Sequence, residues 1–397
     1  MLSSGTRPRA ARAKHCKDGL RGPVGISMSE NQNPSESLLR PLRILEIGGD
    51  SLFALAVPAQ TDFCWTGQKP RQHAKSALGP FRFIRILRAL RRGEYDLVVV
   101  HATQYAPWHP RTFLTTLRDW HIRAPLGFFA IWAWRFIHLF HQVPIVGIDL
   151  GDSCLIPRHN FFLLKACKAF FKRELPSDHW LVFCKSSYPN FPSRSWRRKP
   201  RYNRMIEKLK PLSYGSLAVD LGIFSPRPIE LLPDKSVDIF FAGSIAANST
   251  VRIAGRRELE VLQREGYVVD VVDKPLPAQE FMERISRAWL GWSPGGFGWD
   301  CSRHYEVPIA GTVPLINYPA IERDAPLRDG EHCVLYSVES GGLAMAARAA
   351  LSDKSRLREM ARTAATHVST HHTPYARAER VTMLVLGRRL DGRSSQL

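Results

Sequence analysis

The sequence predicts an α/β protein of two domains, each built on a parallel sheet. Three observations carry this expectation. A chain of 397 residues is too long for one ordinary core. Short, almost wholly apolar runs alternate with stretches of helical spacing, the pattern of parallel strands covered by helices on both faces. The segment Gly291–Asn317, GWSPGGFGWDCSRHYEVPIAGTVPLIN, sets a glycine-rich loop between a buried strand and a helix, and returns to a buried strand.

Taken in order, residues 1–40 are arginine-rich and apolar-poor, then polar with turn formers, and read as a disordered basic tail. They lack the apolar core of a signal peptide, and Asp18 with weak amphipathicity argues against a transit peptide; Met28 is an alternative start. Leu42–Gly49 reads as a strand ending in glycines, Phe81–Leu90 as a helix and Tyr95–His101 as a second buried strand. Leu126–Phe140 is the most apolar stretch, shorter than the roughly 20 residues of a spanning helix. Arg135 and His138 interrupt it, so it fits a core helix, while Trp132 and Trp134 also suit a membrane-surface position. Val143–Asp149 is a third strand with the loop Leu150–Ser153 after it, Lys165–Arg173 has helical spacing, and Trp180–Phe183 reads as a further strand. These elements make residues 41–210 one α/β domain.

The Pro/Gly-rich stretch Pro211–Asp234 has no sustained period, and 211–236 is read as the passage between domains. The second domain, 237–370, opens with strand Val237–Ser244, helix Val251–Arg264 stopped by Gly266, strand Tyr267–Val272 and a helix around Glu280–Arg287. This order puts Gly243-Ser244 and Gly295–Gly298 at the same carboxyl edge of one sheet, where ligands bind. His371–Tyr375 opens a final helix over 371–390.

The chemistry concentrates in the glycine loop. Gly295, Gly296 and Gly298, with Phe297 among them, let backbone approach a ligand that a Cβ would exclude. A helix entered through Asp300 as N-cap would aim its N–H groups and positive dipole end at the same point. Arg303 and Glu306, three residues apart, are neighbours on one helix face. There a guanidinium can neutralise a diphosphate and a carboxylate can accept from ribose hydroxyls; a surface ion pair is the plainer reading.

The balance of 56 Lys+Arg against 36 Asp+Glu gives a formal charge of +20, which favours anionic partners. No helix-turn-helix, zinc-finger or RNP-type pattern accompanies it, so no specific nucleic-acid binding is expected. Seven scattered cysteines without C-x-x-C spacing give neither a disulfide framework nor a zinc site, and imply a reducing cytoplasm. Cys301 beside the loop could be a nucleophile, but no histidine is obviously paired with it in the sequence, and a small apolar spacer is the favoured reading. Adjacent His371 and His372 face different ways on a helix, and no metal is expected.

The glycine loop, R-x-x-E and A-G-T-V-P-L-I together resemble the donor-site signature of GT-B glycosyltransferases, closest to the group 1 branch with spore-maturation-type and exostosin-like sequences. The resemblance runs from about Val237 to Leu386. It implies two Rossmann-like domains facing across a cleft, with the C-terminal helix crossing back to the first. It further implies a nucleotide-diphosphate sugar donor, no separate cofactor, the ribose on Glu306, and the diphosphate on the glycine loop. The F-x-G-S turn at Gly243-Ser244 and the downstream Arg252 would join the donor pocket, although Arg252 equally fits a solvated helix start. The chain departs from the family's E-x7-E pattern: Glu306 matches the second glutamate, and Gly298 stands where the first would be. Phe171–Leu175 and Lys210–Gly215 are similar to motifs of the spore-maturation-type branch. A general base is then expected from the first half, Asp152 foremost, with Asp149 and His101 behind it; Asp152 fits a turn cap as well. Expected partners are the nucleotide-sugar donor, a glycan or lipid-linked acceptor and, peripherally, an anionic membrane face. Two alternatives stay open: a nucleotide-sugar epimerase acting on the donor alone, and a non-catalytic basic nucleic-acid- or envelope-binding protein on the same scaffold.

Overall fold

The computed structural model describes residues 40–65, 80–103, 142–188, 191–194, 203–216, 233–245 and 249–391. Nearly all of the expected basic tail, the apolar stretch Leu126–Phe140 and residues 217–232 of the expected interdomain passage lie outside the described residues.

The first domain carries strands β1 (Ile44–Gly48), β2 (Thr61–Trp65), β3 (Leu97–His101), β4 (Ile145–Asp149) and β5 (Ala169–Lys172). An antiparallel pair follows, β6 (Lys185–Tyr188) with β7 (Phe191–Arg194), and then β8 (Leu209–Pro211). Apart from that pair, the strands form one six-stranded sheet in the order β2-β1-β3-β4-β5-β8, with every neighbour parallel. The second domain is a five-stranded parallel sheet in the order β10-β9-β11-β12-β13. Its strands are β9 (Val237–Ala242), β10 (Val269–Val272), β11 (Ala288–Trp292), β12 (Val313–Asn317) and β13 (Val334–Tyr336).

The period of two along each strand sends successive side chains into different cores. In the first sheet Leu45, Val98, Val100 and Phe170 pack on one face against α2 (Pro80–Arg91) and α3 (Phe161–Ala166). Ile44, Leu97, Val99 and Phe171 pack on the other with Phe53 of α1 (Phe53–Ala56). In the second sheet Ile239, Phe241, Leu290 and Trp292 face α5 (Thr250–Arg264), following a short α4 (Asn203–Ile206) in the first domain. Phe240, Ala242, Ala288 and Ile316 face α6 (Ala278–Ser286) and α7 (Arg303–Ile309). The fold is completed by α8 (Gly342–Leu351), α9 (Lys354–His371) and α10 (Pro374–Leu386). Thr373 caps α10, accepting from the Ala376 N–H at 3.2 Å, and Gly387 ends it at φ +66°. Ala378, Val381 and Val385 of α10 lie in the first domain's core beside Ile44 and Phe53, so the helix crosses back as expected.

Some expected elements differ. Lys165–Arg173 is not one helix: α3 ends at Ala166, and Ala169-Phe170-Phe171-Lys172 is a fully buried strand. A continuous apolar run is compatible with both states, and sheet pairing between β4 and β8 decides it. Trp180–Phe183 lies in a 3₁₀ turn, His179–Phe183, capped by the Asp178 carboxylate, rather than in a strand. The strand expected from Tyr267 begins at Val269. The strand Thr61–Trp65 carries Asp62 and Thr61, and had no clear apolar signal.

Candidate functional site

The second sheet ends its central strands at one edge, and the glycine loop starts there. Asn317, last in β12, accepts the Gly295 N–H at 2.8 Å, and the Gly296 N–H closes a tight turn onto the Gly298 carbonyl at 2.8 Å. Two of the glycines are closely approached by side chains. A Cβ on Gly296 would lie 2.8 Å from Arg252 Nη2, and one on Gly298 would lie 2.5 Å from Glu174 Oε1.

A cavity of about 180 Å³ opens beside the loop. The second domain lines it with Ser244, Ser249, Arg252, Gly296, Phe297, Gly298 and Cys301, and the first domain with Asp152 and Arg173. Six expected site residues therefore meet around one space: Asp152, Ser244, Arg252, Gly296, Phe297 and Gly298. Gly243, Gly295, Asp300, Arg303 and Glu306 are not in its lining. Gly243, at φ +147°, carries the chain past Arg303, whose Nη2 would lie 2.6 Å from a Cβ there. Arg303 donates to the Ala242 carbonyl at 2.8 Å and stands 4.8 Å over the Phe241 ring. Glu306 is half-buried within α7.

Arg252 and Arg303 are both half-buried. Among the described residues, neither has a carboxylate within ion-pair distance. Some arginines of this domain do, as Arg284 grips Asp270 at 2.6 Å and Arg348 grips Glu265 at 2.7 Å, while others, such as Arg323, hydrogen-bond to backbone alone. Arg252 is fixed by backbone instead, donating to Ser244 O at 2.8 Å and Gly295 O at 3.3 Å. Burial, and then the neighbouring Arg303, push the Arg252 pKa down. Arg303 Nε is buried without an acceptor. Two half-buried guanidiniums with no carboxylate against them among the described residues, only the Cys301 thiol, form a site for an anion.

Asp300 is not a helix cap. The helix starts at Arg303, and Ser302 before it makes no side-chain cap bond. The Asp300 carboxylate is buried and already engaged, accepting from the Tyr214 N–H at 2.7 Å and the Tyr305 hydroxyl at 2.6 Å. Its backbone is held by the first domain: Glu174 accepts its N–H, and Arg173 donates to its carbonyl. Burial raises the Glu174 pKa to about 7, against the pull of Arg173.

Of the base candidates, Asp152 alone lines the cavity, with its side chain 46% exposed and Oδ1 2.6 Å from Arg173 Nη1. Asp149 is held by the fully buried Lys172 at 2.7 Å, and His101 by the buried Glu46 at 2.8 Å. Among the described residues no group of three or more His, Cys, Asp or Glu side chains is arranged to hold a metal ion. No described helix is long and apolar enough to cross a membrane.

Cys301 is more than the expected apolar spacer. Its Sγ lies 3.7 Å from His304 Nδ1, which is itself 2.6 Å from Ser293 Oγ, while His304 Nε2 meets the Trp299 carbonyl at 2.8 Å. Burial alone would raise the thiol pKa, but His304 and Arg303 outweigh it and hold it at about 6. The spacing of three at a helix start was the available sequence signal. Arg173 and Ser249 were also missed as cavity residues; Ser249 is the N-cap of α5, accepting from the Arg252 N–H at 3.4 Å.

The chain matches no protein-family model. It matches no curated protein sequence. Among solved structures it resembles a glycosyltransferase from Rickettsia africae ESF-5, with TM-score 0.50 and 8% identity over 87% of this chain and 98% of that one. Anabaena HepE in complex with UDP matches at TM-score 0.45 and 11% identity, over 86% and 99% of the two chains. MurG of Acinetobacter baumannii matches at TM-score 0.38 and 14% identity, over 87% and 99%. The last two superpose too loosely to carry an argument. The likeness is one of fold: two Rossmann-like domains of the GT-B kind, facing across a cleft.

Proposed function

We propose that this chain is a glycosyltransferase that binds a nucleoside-diphosphate sugar at the carboxyl edge of its second sheet. The observation that carries the reading is the pair Arg252 and Arg303, two half-buried guanidiniums without carboxylate partners among the described residues, the first bonded to the glycine loop and the second beside Gly243 at the same sheet edge. Such a pair repels itself unless an anion lies near, and a diphosphate is the anion a Rossmann-like edge is shaped to take. The residues proposed for the donor are Gly243, Ser244, Arg252, Gly295, Gly296, Phe297, Gly298, Arg303 and Glu306, with Glu306 toward the ribose. Asp300 serves the loop's shape instead, through its bonds to Tyr214 and Tyr305.

The leaving diphosphate would be stabilised by the Phe297 and Gly298 amides, the loop's other N–H groups being engaged, and by the two arginines, without a metal ion. Asp152, across the cavity, is the proposed base toward an acceptor hydroxyl; its pairing with Arg173 must loosen for that role. The acceptor is proposed as a glycan or lipid-linked molecule approaching from the first domain. Thermal shifts with a panel of nucleotide sugars test the donor reading: one class should stabilise the protein at millimolar concentration, and no shift with any would refute it. Product analysis with and without acceptors then separates transfer from epimerisation of the donor and from binding alone.

A further inference from the structure

Trp299 and Asp300, which close the glycine loop, turn three backbone groups toward the first domain: both N–H groups and the Asp300 carbonyl. The Trp299 N–H donates to Glu174 Oε2 at 2.9 Å and the Asp300 N–H to Glu174 Oε1 at 2.8 Å. The Asp300 carbonyl accepts from Arg173 Nε at 2.6 Å. Arg173 and Glu174 follow β5 in the first domain, so adjacent residues of one domain hold consecutive peptide groups of the other. The same strap continues: Pro176 bridges to Ile321, and Leu175 O accepts the Glu322 N–H at 2.8 Å.

Glu174 fills a space that the loop leaves open. Its side chain is 5% exposed, and a Cβ on Gly298 would meet Oε1 at 2.5 Å and Cδ at 2.7 Å. It approaches from behind: Gly296–Gly298 line the cavity, and Glu174 does not. A buried carboxylate accepting two successive backbone N–H groups occupies them as a bound anion would. Taking it away leaves two buried donors without an acceptor.

We propose that Glu174 is a positioning residue, a buried carboxyl group supplied by the first domain that accepts from the glycine loop and holds it in its ligand-ready shape. The loop is then complete only while the two domains are together. This rests on the reading of that loop as the donor site, and it adds that the site's affinity for a diphosphate is set across the cleft.

Amide hydrogen exchange of the full-length protein tests the loop, and titration with UDP, GDP and ADP tests the coupling. Glu174→Gln keeps the size but turns an NH₂ group toward an N–H donor. Exchange in the peptide covering 294–302 should quicken at least tenfold, with the β11 peptide unchanged. The nucleoside diphosphate bound best by the wild type should bind at least tenfold more weakly, and its nucleoside within twofold of wild type. If Glu174→Gln does not fold, Gly298→Ala perturbs the same contact from the other side and should give the same pattern. Wild-type exchange at 294–302 in a folded variant overturns the proposal, and so does unchanged diphosphate affinity when that exchange has risen. If the wild type binds none of the three diphosphates, the donor reading fails, and the exchange result alone decides whether Glu174 holds the loop.

Discussion

Arg252→Gln gives the sharpest test of the anion site. Gln retains a polar end for one of the two carbonyls Arg252 now holds, Ser244 O and Gly295 O, while the positive charge is lost. A guanidinium and a phosphate about 4 Å apart interact by about 4 kcal/mol at an effective dielectric near 20. Arg252 is half-buried, and salt screens it, so about 2 kcal/mol is the expected loss. That is roughly a 30-fold rise in Kd for the preferred nucleoside diphosphate. Calorimetric titration at low and high salt measures it, with the nucleoside as control. The deficit should shrink as salt rises, the nucleoside should bind alike to both proteins, and Tm should change little. A folded Arg252→Gln protein with wild-type diphosphate affinity, or one that loses nucleoside and diphosphate affinity equally, would refute the electrostatic argument.

Glu306→Gln should keep the fold and weaken nucleotide binding by about 1–3 kcal/mol, measured in the same titration; unchanged affinity removes Glu306 from the ribose. Cys301 should be the fastest-alkylated described cysteine at pH 7, since its thiol is held at about 6 while burial pushes Cys64 and Cys333 to about 12 and Cys167 to about 11. Peptide mapping after iodoacetamide checks this, and a bound diphosphate should slow it. Glu174 gives a pH signature: its folded pKa, about 7, lies above the ordinary carboxyl value of 4.5. Its contribution to stability is therefore fully present below about pH 4.5 and lost as pH rises through about 7, by about 3 kcal/mol at most. Melting curves of wild type and Glu174→Gln should thus differ in their slope between pH 5 and 8, and parallel slopes would contradict the assignment. Transfer should survive excess EDTA; loss of activity with rescue by magnesium or manganese would replace the arginine scheme with a metal.

Much of this architecture was legible because its signals are local. Apolar runs such as Leu97–His101 and Val313–Asn317 are buried throughout and read as strands without help from their neighbours. The glycine loop was equally plain, and Gly243-Ser244 could be placed at the same edge from element order, whereas Arg252 was legible only through the family resemblance. What failed was decided by partners distant in sequence. Ala169–Lys172 becomes a strand because β4 and β8 flank it. Asp300 looked like a cap because it precedes a helix, but Tyr214 and Tyr305 take its oxygens. Glu174 carries no local mark of its task, since the amides it serves belong to the other domain.

The crossing helix has a consequence for how the protein is made. Ala378, Val381, Val385 and Leu390 complete an apolar layer that begins with Leu42, Ile44 and Phe53, and the Leu42 N–H bonds to the Leu390 carbonyl. The first domain therefore lacks part of the cover on one face of its sheet until the second domain has been synthesised and α10 follows it. The second domain, whose sheet strands run consecutively from β9 to β13, has no such wait. Assembly order is thus expected to invert the order of translation, with the later half reaching its native packing first.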